Sequence, residues 1–367
     1  MSKKIKVAII FGGKSTEHEI SFISAKNVLK ALNPEKYDVV LLGITPEGEW
    51  YLQDPIEFKK TSSSLSQKQK VKETSQKVTI CPSKEGRFLT ILSDPIQYEY
   101  LDVVIPLVHG TFGEDGSIQG LLRLANIPFV GPGLLASSIG MDKDVTKRLI
   151  KAARIPTAKF LVFSAIESVH INFDHVVKKL GLPIFVKPAN AGSSVGITKV
   201  SKLLEFRKAI DEAFIYDRKI IIEEAIKGRE IECSVMGNEF PIISCPGEVI
   251  VNHDFYSYEA KYNDPKGAEL QIPALIDPKI ASKIKDLAKK AYQVLCCEGM
   301  ARVDFFLTNE GKIYFNEINT IPGFTDISMY PKTWETSGFQ MENLIDRLVW
   351  FALDRHQKEM SLRTQIY

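Results

Sequence analysis

Residues 301–319 read ARVDFFLTNEGKIYFNEIN, and the arrangement they impose decides what the rest of the chain must support. Residues 301–307 and 312–318 are rich in aliphatic and aromatic side chains, as strands are, and Asn309-Glu310-Gly311-Lys312 between them is a turn sequence. With Glu310-Gly311 as a two-residue turn centre, Asp304 falls opposite Glu317 and Arg302 opposite Asn319. Strand side chains alternate between faces, so all four share one face. Two carboxylates directly opposed across strands repel unless a cation joins them. An oxygen donor set completed by an amide suits Mg²⁺ or Mn²⁺ better than zinc. An ion pair of Arg302 with these carboxylates is the alternative use of the same face.

Outward from this hairpin the chain separates into three units. Residues 1–138 alternate strand and helix (strands near 5–11, 38–44 and 101–108, a helix near 21–32), which implies an open α/β sheet with ligand-binding loops at the strand C-termini. Residues 59–78 within it are polar and charged and read as a surface excursion. Residues 139–223 form a central unit. Its helix near 142–153 is ended by Arg154-Ile155-Pro156, two strands at 183–187 and 196–200 flank a Gly/Ser loop, and a helix follows near 203–213. Residues 224–367 hold a strand near 230–236, the hairpin, and helices near 279–295 and 341–354. A stretch near 252–270, rich in Tyr, Asp and Gly, reads as a closing loop.

Other segments carry their own chemistry. Gly12-Gly13-Lys14-Ser15 ends like a phosphate-binding P-loop, but the glycine that motif needs five residues before Gly13 is Ala8, inside an apolar strand. A Gly-rich strand-to-helix turn instead lets a small ligand approach the backbone, with Glu17 beside it either to hold an ammonium or simply to complement a helix N-terminus. The loop from His109 to Gly116 has three glycines in eight positions; it also reads as a plain turn, with His109 a local hydrogen-bonding group. Lys187 closes an apolar strand, and the small-residue loop that follows, with Ser193 and Ser194, offers N–H groups and hydroxyls. That combination suits a triphosphate, or else is a flexible hairpin. Lys143 is a candidate second cation. Glu223-Glu224-Ala225-Ile226 ends a strong strand and presents backbone groups to a base edge. Glu230 can then accept ribose hydroxyls, or these acids are merely solvated. After the hairpin, the turn at Gly323 offers a backbone N–H which, with Arg302, could stabilise an oxyanion, and Ser328-Met329 reads as a helix start.

Composition bounds the function classes. A chain of 367 residues, 44% hydrophobic, buries a large core in two or three domains. Lys plus Arg number 47 against 45 Asp plus Glu, a net charge of +2, which supplies no field for nucleic acid. No apolar run reaches the roughly 20 residues of a membrane span, and the run at 7–11 is too short for a signal-peptide core, so a cytoplasmic protein is expected. Five cysteines, an odd number with no CxxC pair, imply buried thiols in a reducing compartment, with Cys296-Cys297 packed at a helix end.

Taken in order, GGKSTEHEIS (12–21), HGTFGEDGSIQG (109–120), VKPANAGSSVG (186–196), EEAIKGREIE (223–232), YEAKY (258–262), ARVDFF (301–306) and NEINTIPGFTDISMYP (316–331) resemble the D-alanine:D-alanine ligase family along nearly the whole chain. The resemblance implies an α/β protein of the ATP-grasp fold, an N-terminal open α/β domain followed by two α+β domains that clasp ATP. It implies ligation of two D-alanines through an acyl phosphate, with ADP and phosphate released, for peptidoglycan precursors. By the same resemblance Lys143, Lys187, Ser194, Glu224 and Glu230 contact ATP, and the hinge Glu223, Glu224, Ala225 and Ile226 receives adenine. The family commonly has lysine where this chain has Glu224. Asp304, Glu317 and Asn319 bind two Mg²⁺ or Mn²⁺ ions. Glu17 orients the first D-alanine ammonium and forms a triad with Ser193 and Tyr262. His109 lies near that substrate. Lys261 and Ser328 hold the second D-alanine carboxylate, Met329 lines its methyl pocket, and Arg302 with the Gly323 N–H stabilises the oxyanion. A homodimer is expected on the same basis. The alternatives are a D-alanyl-D-lactate or D-alanyl-D-serine ligase, or a silent nucleotide-binding protein on this fold. Tyr262 after Lys261 speaks against the lactate form, and the retained metal ligands with Arg302 and Lys187 speak against the silent one.

Overall fold

The computed structural model describes residues 3–61, 69–82, 88–251 and 267–363. The strand Ile5–Gly12 is the centre of the first sheet. It pairs in parallel with Tyr37–Ile44 on one side and Val103–Pro106 on the other, and Trp50–Gln53 adds an antiparallel edge. Its side chains are apolar on both faces because both faces are covered. Val7, Ile9 and Phe11 pack with Phe22, Val28 and Leu29 of the helix His18–Ala31, and with Leu344 and Leu348 of the C-terminal helix Met341–Met360. Ala8 and Ile10 face the opposite way, onto Leu122 and Ile127.

The described end of the polar excursion, residues 69–78, is more structured than its composition suggests. Val71 is buried against Gly43, and Gln53 pins the backbone of Lys72 through two hydrogen bonds of 2.8 and 3.1 Å. A small antiparallel sheet of Val78–Ile80, Phe88–Ile91 and Asp94–Tyr100 follows. Its first two strands, of three and four residues, are too short to show periodicity, yet Val78, Ile80 and Leu89 are buried in the first sheet's outer core.

The second sheet is antiparallel, in the order Thr198–Val200, Ile184–Pro188, Lys219–Glu224, Phe160–Ser164. The helices Phe173–Leu180 and Leu203–Tyr216 cover one face through Val176, Phe206 and Ile210. The third sheet runs Ala268–Gln271, Gly247–Val251, Arg229–Gly237, Gly299–Leu307, Ile313–Asn319, with the helix Pro278–Val294 against it. That helix ends before the cysteine pair. Cys296 takes a φ of +56° and is exposed, so only Cys297 packs in the core.

Packing does not follow the contiguous division at 138/139 and 223/224. The first break lies inside the helix Leu134–Met141, and the second lies one residue before the end of Lys219–Glu224. The helix Lys143–Ala152, capped by Asp142 Oδ1 accepting from the N–H groups of Asp144 and Val145, sends Ile150 into the core of the third sheet. Among the described residues no helix is long and apolar enough to cross a membrane.

Candidate active site

The hairpin delivers the expected register at its functional end: Arg302 faces Asn319 and Asp304 faces Glu317. It does so by a different route. Thr308 N–H donates to Lys312 O and Gly311 N–H to Thr308 O, so the loop is a three-residue Asn309-Glu310-Gly311 turn, with Gly311 at φ +74°. That turn shifts the pairing by one residue, to Phe305 opposite Phe315. A bulge between Asp304 and Phe305 inserts Asn316 and restores the register.

Arg302 is engaged with carboxylates. Its Nε and Nη2 donate to Asp304 at 2.9 and 2.8 Å, and Nε lies 2.9 Å from Glu232. Burial opposes its charge, but Asp304 and then Glu232 hold its pKa well above the ordinary value. Asn319 Nδ2 donates to Asp304 Oδ2 at 2.9 Å. The ion pair foreseen as the alternative use of this face is formed, on a carboxylate that the metal reading also needs. Among the described residues no group of three His, Cys, Asp or Glu has metal-holding geometry. The candidate set is instead two carboxylates and an amide, all hard oxygen donors once the amide of Asn319 is turned, and it fits a small divalent cation.

Across the cleft, Glu17 stands at the N-cap of His18–Ala31, buried, and Ser193 Oγ donates to its Oε1. Two glycines make room for this carboxylate. A Cβ on Gly110 or Gly192 would lie 2.8 or 2.9 Å from Glu17 Oε2. Ser193 and Ser194 both take positive φ, 48° and 61°, so the loop after Lys187 bends sharply toward Glu17. Lys143 reaches the same loop, its Nζ donating to Ala191 O at 2.6 Å.

His109 is buried between Ile321 O, 2.9 Å from Nδ1, and Ser24 Oγ, 3.0 Å from Nε2. Burial lowers its pKa. Beside it is a residue the sequence reading passed over. Glu114 accepts from Gly110 N–H at 2.8 Å and from Ile321 N–H at 2.9 Å. Burial, and after it the charge of Glu17, push its carboxyl up to about 8. The glycine spacing of its loop drew attention away from this acid.

Lys187 points to Glu223, 2.8 Å away, and Glu223 is also held at 3.0 Å by Lys147, a second missed residue. Burial works against the Glu223 charge, but Lys147 and Lys187 overcome it and bring its pKa down to about 2. For Lys187 burial is likewise offset, by Glu223 and, more weakly, by Glu317 and Glu230, so its pKa is raised. The Glu223 side chain is thus the counter-ion of two lysines. The hinge donors are also engaged: Glu224 N–H bonds to Lys159 O at 3.0 Å and Ala225 N–H to Pro183 O at 3.1 Å, while the Glu224 carboxylate accepts from Lys159 N–H. An adenine at this hinge would have to use backbone groups other than these two N–H donors.

Two adjoining cavities collect the remaining candidates. One is lined by Lys143, Ser193, Ser194, Glu317 and Asn319. The other is lined by Glu17, His109, Arg302, Gly323, Ser328 and Met329. Glu114, Gly192, Ser193, Glu317 and Asn319 border both. Ser328 N-caps the helix Met329–Thr336, and its Oγ accepts from Thr325 N–H at 2.9 Å. Lys187, Glu223, Glu224, Ala225, Ile226, Glu230 and Asp304 are not on either lining. Lys261, Tyr262 and the closing loop around them lie outside the described residues.

The family described as D-ala D-ala ligase N-terminus matches residues 6–132, and that described as D-ala D-ala ligase C-terminus matches residues 149–350. A D-alanine–D-alanine ligase of Oceanobacillus iheyensis is 48% identical over 364 residues, covering 98% of each chain. D-alanine–D-alanine ligase A of Escherichia coli is 47% identical over 362 residues, covering 99% of each. Among solved structures, the D-alanine–D-alanine ligase of Coxiella burnetii superposes with a TM-score of 0.85 at 37% identity, covering 98% of this chain and 97% of its own. The VanG D-Ala:D-Ser ligase of Enterococcus faecalis superposes at 0.84 and 35%, covering 95% and 100%. Two sheets of the ATP-grasp type facing a parallel α/β sheet, with the cavities between them and both family matches spanning the chain, establish that it belongs to the D-alanine–D-alanine ligase family.

Proposed function

We propose that this chain joins two D-alanines to D-alanyl-D-alanine, with ATP converted to ADP and phosphate, by having the two cavities meet at Ser193, Glu317 and Asn319. That shared border carries the reading, because a phosphoryl donor in one cavity and an amino acid in the other can react only there. In this reading Lys143, Lys187, Ser193 and Ser194 face the phosphates, and Glu230 takes the ribose. Lys187 exchanges its contact with Glu223 for phosphate while Lys147 keeps Glu223 compensated. Asp304, Glu317 and Asn319 hold two Mg²⁺ or Mn²⁺ ions, which when bound neutralise polyphosphate charge.

Glu17, steadied by Ser193, takes the ammonium of the first D-alanine, so that its carboxylate attacks the γ-phosphorus. The C–O–P bond of an acyl phosphate forms and ADP leaves. The second D-alanine, its carboxylate held at Ser328 with Lys261 and its methyl against Met329, attacks the acyl carbon through its free amine. The oxyanion is met by Gly323 N–H and Arg302, the latter turned from Asp304, before the C–O bond to phosphate breaks. The chain is read as a cytoplasmic homodimer serving peptidoglycan precursor synthesis.

The test is product analysis with ATP, Mg²⁺ and D-alanine, alone and with D-serine or D-lactate added. The expected product is D-alanyl-D-alanine with one ADP per dipeptide. D-alanyl-D-serine or a depsipeptide as the main product would replace this reading with the alternative ligase.

A further inference from the structure

The turn 321–324 is gripped on both sides of one peptide. Ile321 gives its N–H to Glu114 Oε1 at 2.9 Å and its C=O to His109 Nδ1 at 2.9 Å. Phe324 gives its N–H to Ser24 Oγ at 3.1 Å and its C=O to Asn27 Nδ2 at 3.0 Å. Pro322 has no N–H, and the Gly323 N–H, on the cavity wall, has no hydrogen-bond partner among the described residues. All four gripping side chains come from the first sheet's unit, and Ser24 and Asn27 belong to the helix whose N-cap is Glu17.

We propose that Ser24 and Asn27 are positioning residues, through which the helix His18–Ala31 acts as a ruler between the ammonium acceptor Glu17 and the Gly323 N–H. This rests on reading that N–H as the oxyanion donor. Glu17 and Ser24 are seven residues apart, two helical turns, so they share a face about 10 Å apart along the axis. The ruler is anchored midway. Ser21 Oγ accepts from Gly12 N–H at 2.7 Å and donates to Leu107 O at 2.5 Å, fixing the helix to the end of Ile5–Gly12 and to the residue that follows Val103–Pro106. The hydrogen-bond directions are consistent. Ser24 Oγ, already accepting from Phe324, donates its proton to His109 Nε2, which leaves the proton on Nδ1 for Ile321 O. The first substrate's ammonium and the oxyanion that later forms on its carboxyl carbon are thus referenced to one rigid element. Loop packing alone would let them drift by the fraction of an ångström that misaligns the second step.

The oxyanion donor acts when the amine attacks, not when the γ-phosphoryl moves, so the two steps should separate. Rapid-quench single turnovers with ATP, Mg²⁺ and D-alanine resolve ADP formation from dipeptide formation. Ser24→Ala is expected to form ADP at the parent rate with an unchanged KM for ATP, while dipeptide forms about tenfold or more slower. Asn27→Ala, at a partly exposed position, is expected to show the same split more weakly, and it carries the test if the buried Ser24 variant does not fold. Equal slowing of both phases in a folded variant, or no change in either, would overturn the proposal. A parent enzyme that forms no ADP with D-alanine would overturn the ligase reading beneath it instead.

Discussion

Glu223, Lys147 and Lys187 show how one carboxylate organises two buried cations. Its oxygens divide between them at 3.0 and 2.8 Å, and Lys147 and Glu223 are almost wholly buried. Removing one partner of a buried pair costs about 3–5 kcal/mol, because the other charge is stranded, whereas apolar replacement of a partner that leaves no stranded charge is often near neutral. Glu223→Gln strands both lysines and should cost about 3–5 kcal/mol. Lys147→Met leaves Glu223 paired with Lys187 and should cost on the order of 1 kcal/mol. Urea unfolding midpoints of the two variants check this ordering, and a Lys147 variant as unstable as the Glu223 one would refute it. The pH sign follows from Glu223's depressed pKa, from 4.5 to about 2. Its stabilisation is complete above about 4.5 and is lost as pH falls through 2, and Glu223→Gln should flatten that part of the acid unfolding curve. Lys147 was illegible in the sequence because lysine on a helix ordinarily faces water, and only the tertiary burial of that helix face makes it a counter-ion.

At the scale of the element, the Gly299–Leu307/Ile313–Asn319 hairpin was read correctly at its functional end through two compensating differences, a longer turn and a bulge. Turn residues define where a chain reverses, but the choice between a two- and a three-residue loop depends on how Phe305 and Phe315 pack, at 6.1 Å between ring centroids. Inserting one alanine between Asn316 and Glu317 should therefore leave that aromatic pair in place and let the strand pair regularly from it, carrying Glu317 from opposite Asp304 to opposite Arg302. Circular dichroism near that of the parent, with ligation lost in the ADP-release assay, is the expected result. Activity within a few-fold of the parent would show that the bulge does not set the site.

Across the whole molecule, the last helix belongs to the first sheet. Leu344, Ile345, Leu348, Val349 and Ala352 complete the core around Val7 and Ile9, and Arg355 donates to Gly131 O at 2.7 Å and Phe129 O at 2.8 Å. Tyr37 and Lys36 reach Asp346 from the other end of the chain. Burying a large aliphatic side chain contributes about 1.5–3 kcal/mol, so these residues together are comparable with the roughly 5–15 kcal/mol net stability of a typical domain. A chain ended at residue 340 should lose cooperative unfolding in the first sheet, although its strands are untouched. Differential scanning calorimetry is the measurement, and a retained single sharp transition would contradict the assignment.

The sequence by itself located the central strands of the three larger sheets, because hydrophobic patterning, glycine turns and proline stops are local, but not the small sheet of Val78–Ile80, Phe88–Ile91 and Asp94–Tyr100 or the edge strands. It also put Arg302, Asp304, Glu317 and Asn319 on one face, since strand alternation ties them together over a short span. The family resemblance, not any local pattern, implied that Glu17 meets Ser193 across 176 residues of sequence, and only the tertiary structure decided that Glu114 and Lys147 are buried partners and that Ser24 and Asn27 grip the turn around Gly323. These depend on how separately legible elements are brought face to face, and the burial that gives such contacts their strength exists only once the sheets have packed.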